Sequence, residues 1–215
     1  MTDIDINPGS GDPVTININC ACEPTTPPAP AAAMTELDLY GYAAATVLPH
    51  YCNTAVAELG PYLLGATAIL PAGRSLASVG IGVAVPASGV AAGECAFGVY
   101  MGGIPELVAT TAPKANLFAS AGVRWAPLKS AIEASDQDRV VWLVAQVPAY
   151  SIGSPAFLSA LHANGPSMIN AQRYRSVIVE GQAELPPMFD ADAVPFTSPR
   201  YLPMLVGSSD GVIQP

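Results

Sequence analysis

From Ser75 to Gly93 the chain runs nineteen residues without a charge, close to the ~20 apolar residues that a membrane-spanning helix needs. Gly80, Gly82, Pro86, Gly89 and Gly93 punctuate it, and its branched apolar side chains fall at Val79, Ile81, Val83 and Val85. A helix would scatter those four around its circumference, whereas a strand puts them all on one face. The stretch is therefore expected to form a strand, Ser78–Val85, that packs in a sheet rather than crossing a membrane. Two more strands read clearly. Glu94–Met101 alternates Cys95, Phe97, Val99 and Met101 against Glu94, Ala96, Gly98 and Tyr100, and Arg139–Val147 is a continuous apolar run bearing Trp142. Turn signals stand between them at Pro86–Gly89, Gly102–Pro105 and Ser135–Asp138. With 22 prolines and 19 glycines, long helices are hard to build. Strand spacings of roughly 10–15 residues fit an all-β antiparallel sandwich, jelly-roll-like, better than βαβ units, which need intervening helices. Ser154–Ala163 reads equally well as a short helix or a strand.

Charge divides the chain. Residues 1–58 carry seven acids and no lysine or arginine. Within residues 2–19, Ile4, Ile6, Val14, Ile16 and Ile18 alternate with Asp, Asn and Thr, a pattern of short extended segments with one apolar edge. Too few to build a core, they need a partner surface and could add as strands to a neighbouring sheet edge. The run Glu-Pro-Thr-Thr-Pro-Pro-Ala-Pro that starts at Glu23 reads as a polyproline-like spacer. The expected organisation is an extended acidic arm (1–22), a Pro/Ala-rich linker (23–36), a β-sandwich (37–207) and a short tail (208–215). No basic, apolar leader opens the chain, so synthesis and first residence in a cytoplasm are expected. The whole chain has 8 Lys+Arg against 17 Asp+Glu, a net charge of −9. So few bases cannot form the patches that nucleic acid or an anionic membrane requires, and neither is expected as a partner.

Motifs for chemistry are sparse. Gly207-Ser-Ser-Asp-Gly211 has the letters of a nucleophile elbow, but that motif needs a following helix and a downstream acid and histidine. Only four residues follow, and a polar turn is expected instead. Gly80-Ile-Gly82 lacks the third glycine of a dinucleotide loop and reads as close sheet packing. Cys20, Cys22, His50 and Cys52 make a Cys3His set that could hold zinc, although the spacings are not those of common zinc modules. A disulfide within that set, or free thiols, are the alternatives, while Cys95 reads as a small core residue. Asp136 and Asp138 read as a solvated turn before they read as a calcium site. Trp125 and Tyr150 are candidate surface aromatics that could stack on sugar rings. No catalytic residue and no cofactor are expected, because the acids lie in scattered turns instead of as a facing pair.

Several stretches together resemble the β-sandwich of minor tail and fibre proteins from tailed phages that infect high-GC actinobacteria. They are Leu70-Pro-Ala-Gly-Arg-Ser-Leu, Gly93-Glu-Cys-Ala-Phe-Gly-Val-Tyr100, Leu107-Val-Ala-Thr-Thr and Val141-Trp-Leu-Val-Ala. The later runs Ser154-Pro-Ala-Phe-Leu, Leu185-Pro-Pro-Met-Phe and Arg200-Tyr-Leu-Pro-Met-Leu-Val-Gly look like the second half of the same domain. The likeness covers about residues 37–207 and rests on structural positions and turns. It implies a virion appendage, assembled in the host cytoplasm, that displays a sandwich at the particle surface. It also implies a homotrimer joined to other tail or capsid proteins, with contact to host cell-wall glycan as a further role. A capsid decoration or head-fibre protein with no receptor role is the alternative.

Overall fold

The computed structural model describes residues 34–58, 60–92, 94–161, 176–189 and 201–210. The chain divides into the units Met1–Ala33 and Met34–Pro215. The arm residues Ile4, Ile6, Val14, Ile16 and Ile18, together with Cys20 and Cys22, lie outside the described residues.

The second unit opens with a one-turn helix, α1 (Glu36–Tyr40), then β1 (Ala44–Ala45), a single 3-10 turn at Pro49–Tyr51, and β2 (Thr54–Val56). Long strands follow as β3 (Tyr62–Leu70) and β4 (Leu76–Val85), then β5 (Ser88–Ala92), β6 (Ala96–Met101) and β7 (Glu106–Thr110). Next come β8 (Gly122–Ile132), β9 (Arg139–Val147), β10 (Ala149–Ile152) and β11 (Ala156–Leu161). The last are β12 (Ser176–Glu180), β13 (Tyr201–Pro203) and β14 (Leu205–Ser208).

Eight of these strands form the frame. One sheet contains the order β2–β11–β4–β8 and the other β3–β9–β6–β7, with every neighbour antiparallel. Taken along the chain, these strands switch sheets at each step except the β6–β7 hairpin, so the first pairs with the eighth and the second with the seventh. That is the strand order of a jelly roll. The expected all-β sandwich is therefore the fold, and Ala156–Leu161, ambiguous in sequence, is the eighth strand of the frame. β12 extends the second sheet beyond β3, in register from Ser176 opposite Ala66 to Glu180 opposite Tyr62. β5 and β10 form a separate two-stranded ribbon.

The first sheet also takes in β1, β13 and β14. β14 pairs with the first half of β4, from Leu205 opposite Ile81 to Ser208 opposite Ser78. Before it, the chain moves across to β11, where Pro203 stands opposite Ser159. Met204 is the crossing point: its carbonyl accepts from Gly82 N at 3.0 Å and its N–H donates to Leu158 O at 2.8 Å. Thr46 holds the same junction, its hydroxyl donating to Pro203 O and accepting from Leu205 N at 2.9 Å. Gly82 lets the strands approach closely here, since a Cβ would sit 3.0 Å from both Leu158 Cδ1 and Met204 Sδ.

Between the sheets lies a core that includes Leu64, Val79, Ile81, Val83, Phe97, Val99 and Leu143. Phe118 and Phe157 meet edge to face across it at 5.1 Å between ring centroids. Alternation along the strands sets which side a residue takes but does not mark the other side as solvent. Ala96, Gly98 and Tyr100, the second face of β6, are buried. Residues 185–189 cross over them: Leu185 and Phe189 pack on Tyr100, Trp142 and Val144. Tyr100 Oη donates to Pro186 O at 2.9 Å, and Leu107 N to Pro187 O at 2.8 Å. Among the described residues, no helix is long and apolar enough to cross a membrane.

Candidate interaction face

Part of the outer face of the first sheet is also covered, in this case by aromatic rings. Gly80 leaves room for one of them, because a Cβ there would come within 2.8 Å of the Trp125 ring. Trp125, on β8, lies over the sheet beside Tyr42, 5.9 Å between centroids. Tyr42 stacks on Tyr40 at 5.7 Å and 16°, and Tyr40 on His50 at 5.8 Å and 15°. His50 then meets Tyr51 at 3.9 Å. The result is a continuous run of five rings, from Trp125 through Tyr42, Tyr40 and His50 to Tyr51. Tyr42 is its buried base, resting with Leu48 on Met204 and Val206, while Tyr40, His50 and Tyr51 reach solvent.

Local sequence explains why these rings are held in place. Thr35 caps α1, accepting from Asp38 N, and Asp38 reaches back to accept from Thr35 N at 2.7 Å, a capping box that fixes so short a helix. Gly41 follows with φ 68°, the left-handed conformation that ends the helix and turns Tyr42 inward. Arg74 ties the segment to the body, forming an ion pair with Asp38 and donating to Tyr42 O at 3.1 Å. The hydrogen bonds from Thr35, with the Arg74 guanidinium beside it, hold the Asp38 carboxyl down to about 2. Burial raises the Tyr42 phenol. Tyr40 Oη and His50 Nδ1 stand 2.9 Å apart, which locks the two exposed rings together.

The candidate residues from sequence separate. His50 and Trp125 join this face, Trp125 at one end of the ring run and His50 next to the other. Cys52 sits half-buried at its base, its thiol donating to Leu48 O at 3.7 Å, and burial pushes that thiol up to about 11. Among the described residues Cys52 and Cys95 are free thiols, and no three of His, Cys, Asp and Glu gather in a way that could hold a metal ion. The other two members of the Cys3His set, Cys20 and Cys22, lie outside the described residues. Tyr150 is half-buried: it packs on the main core with its hydroxyl 3.5 Å from Cys95 Sγ, and burial raises both groups. Ser208 is buried in β14 opposite Ser78, and a Cβ at Gly207 would lie 2.2 Å from Leu76 Cδ1, so packing rather than an elbow accounts for that glycine. Asp138 accepts from Ala72 N at 2.9 Å and ties its turn to the one that follows β3.

Tyr40, Tyr42 and Tyr51 were missed in the sequence. A signal was present, since three of the eight tyrosines and one of the two histidines fall within residues 40–51. Comparison of the chain with protein-family models, with curated proteins and with solved structures returns no match.

Proposed function

We propose that the chain is a structural protein of a phage particle, a minor tail or fibre component that displays its jelly roll at the virion surface and is held there by the acidic N-terminal arm. One observation carries the reading. Among the described residues, four of the ten exposed large apolar side chains, Met34, Leu39, Tyr40 and Tyr51, fall within the first eighteen residues of the body, 34–51. Met34 and Leu39 are 74% and 70% exposed. Apolar surface gathered in one place is the mark of a face that is covered in an assembly. Because these residues follow the arm directly in the sequence, they suit a subunit that docks root-first and leaves the rest of the sandwich outward. The role is assembly without catalysis, in three copies, with host cell-wall glycan as a contact of the outward end.

A capsid decoration or head-fibre protein would use the same face in the same way, and fold alone does not choose between these locations. Deleting residues 1–33 tests the anchoring role: the purified body should keep its sheet circular dichroism yet no longer enter particles. Normal incorporation of the truncated chain would refute it. Competition by the purified protein against phage adsorption separates a receptor-binding fibre from a decoration protein.

A further inference from the structure

We propose that the open edge of β8, from Gly122 to Pro127, receives an acidic, extended segment of a partner protein, which adds to the first sheet as a further strand. The inference goes beyond the virion reading and does not depend on it.

Register fixes the direction of each backbone group along this edge. Gly82 N–H donates to Met204 O at 3.0 Å, on the side of β4 away from β8. In an antiparallel ladder successive residues turn their N–H and C=O to opposite sides, so Val79, Ile81 and Val83 turn theirs toward β8. Their partners are Ala126, Arg124 and Gly122. Val123, Trp125 and Pro127 fall between these and turn their backbone groups outward. Among the described residues β4 is the strand with which β8 pairs, and β7 joins β8 only past this stretch, at the Thr111–Leu128 bridge. Gly122 and Pro127 are exposed and Val123, Arg124 and Trp125 half-buried, so a strand can reach the outward groups. The same geometry explains how a proline is tolerated inside β8: the N–H that Pro127 lacks is one that would have faced the open side. What is left is a short edge with two donors, Val123 N–H and Trp125 N–H, and carbonyl acceptors beside them, the groups through which an added strand is held.

Charge selects the occupant. The chain as a whole carries −9, yet between Glu106 and Glu133 it has Lys114, Arg124 and Lys129 and no acid. Arg124 and Lys129 lie on β8 itself, and among the described residues neither forms an ion pair. The Arg124 guanidinium donates to the carbonyls of Ser120 and Ala121, which holds a cation beside the open edge. A strand bearing carboxylates meets opposite charge there, and a basic strand meets like charge. The same charges disfavour β8 of a second copy, since antiparallel pairing of two such edges would set Arg124 and Lys129 against their own counterparts.

Fluorescence anisotropy tests this, with the full-length protein titrated into a dye-labelled, end-blocked peptide of alternating valine and glutamate, and into its valine–lysine counterpart. The glutamate peptide should bind with an affinity that falls as salt rises, and the lysine peptide at least tenfold more weakly. V123P withdraws one of the two outward N–H groups without removing a hydrogen bond to β4, and should weaken binding at least tenfold. R124Q/K129Q should weaken it at least threefold and flatten its salt dependence. No binding at ~1 mM protein, a folded V123P that binds like the wild type, or equal binding of the lysine peptide would overturn the proposal. If V123P misfolds, R124Q/K129Q decides: unchanged binding overturns, and a threefold loss supports. Two other occupants would equally overturn it. Self-association of the wild type that V123P abolishes would give the edge to a second copy, and a peptide of residues 1–22 that binds at least tenfold tighter than the glutamate probe would give it to this chain's own N-terminus.

Discussion

Replacing Phe157 with alanine asks whether β11 is the strand that completes the jelly roll. Phe157 is fully buried and stands opposite Val83 of β4 on one side and Val56 of β2 on the other. Its ring meets Phe118 edge to face at 5.1 Å, and Phe118 in turn lies 6.3 Å from Phe97 of the second sheet. Truncation removes the ring's transfer energy and leaves a cavity that two sheets held by long strands cannot close, a cost of about 3–5 kcal/mol. Set against the ~5–15 kcal/mol that holds a typical domain, this is a large fraction of the whole. With a urea dependence of about 2 kcal/mol per M, the unfolding midpoint should fall by roughly 1.5–2.5 M with unchanged slope. Val140, 48% exposed, is the control, and V140A should change stability by less than about 0.5 kcal/mol. Urea unfolding followed by circular dichroism measures both. A loss below about 1 kcal/mol for F157A would mean that Ala156–Leu161 does not join the two sheets through this core.

Three further outcomes follow from the geometry. Gly80→Ala forces a Cβ against the Trp125 ring and should destabilise by about 1–3 kcal/mol while shifting tryptophan fluorescence; unchanged emission would mean that Trp125 does not lie on that glycine. Asp38 has its carboxyl held at about 2 against an ordinary 3.8, so its contribution is present above the unfolded value and is lost as pH falls toward 2. Near-ultraviolet circular dichroism of the tyrosines should change over that interval, and D38N should abolish the acid-dependent part; an identical acid transition in D38N would contradict the capping box. The Cys52 thiol, pushed up to about 11 by burial, should alkylate at pH 8 on the order of 100-fold more slowly than an ordinary thiol under reducing conditions. Mass spectrometry that found it modified at the ordinary rate would show that Leu48 and its neighbours do not cover it.

Strands whose side-chain period is unambiguous were legible in the sequence, and those decided by remote pairing were not. Val79, Ile81 and Val83 mark β4, and Val140 to Val147 mark β9, within a residue or two of the observed limits. Leu-Ser-Ala at 158–160 carries no local preference; its strand character comes from β2, β4 and β13, which approach from about 75–105 residues before it and about 40 after. β3, with Gly65 inside an apolar run, and β8, with Pro127, carry mixed signals that pairing overrides. Burial on the outer faces could not be read either. The Leu185–Phe189 crossing looks like a proline-rich loop, and only its hydrogen bonds to Tyr100 and Leu107 show it to be a cover. On the candidate face, His50 and Trp125 were visible singly, but the run joining them depends on Gly41 turning Tyr42 inward and on Gly80 making room for Trp125, seventy-five residues from His50.

The proposed place of this jelly roll, repeated on a particle surface, is tested most directly by cryo-electron microscopy of purified virions. Density is expected for the Met34–Pro215 body in several symmetry-related copies on the tail or capsid exterior, with the Met34–Tyr51 end turned toward the particle. Virions complete and infectious without the protein, or a body facing inward with that end in solvent, would contradict it.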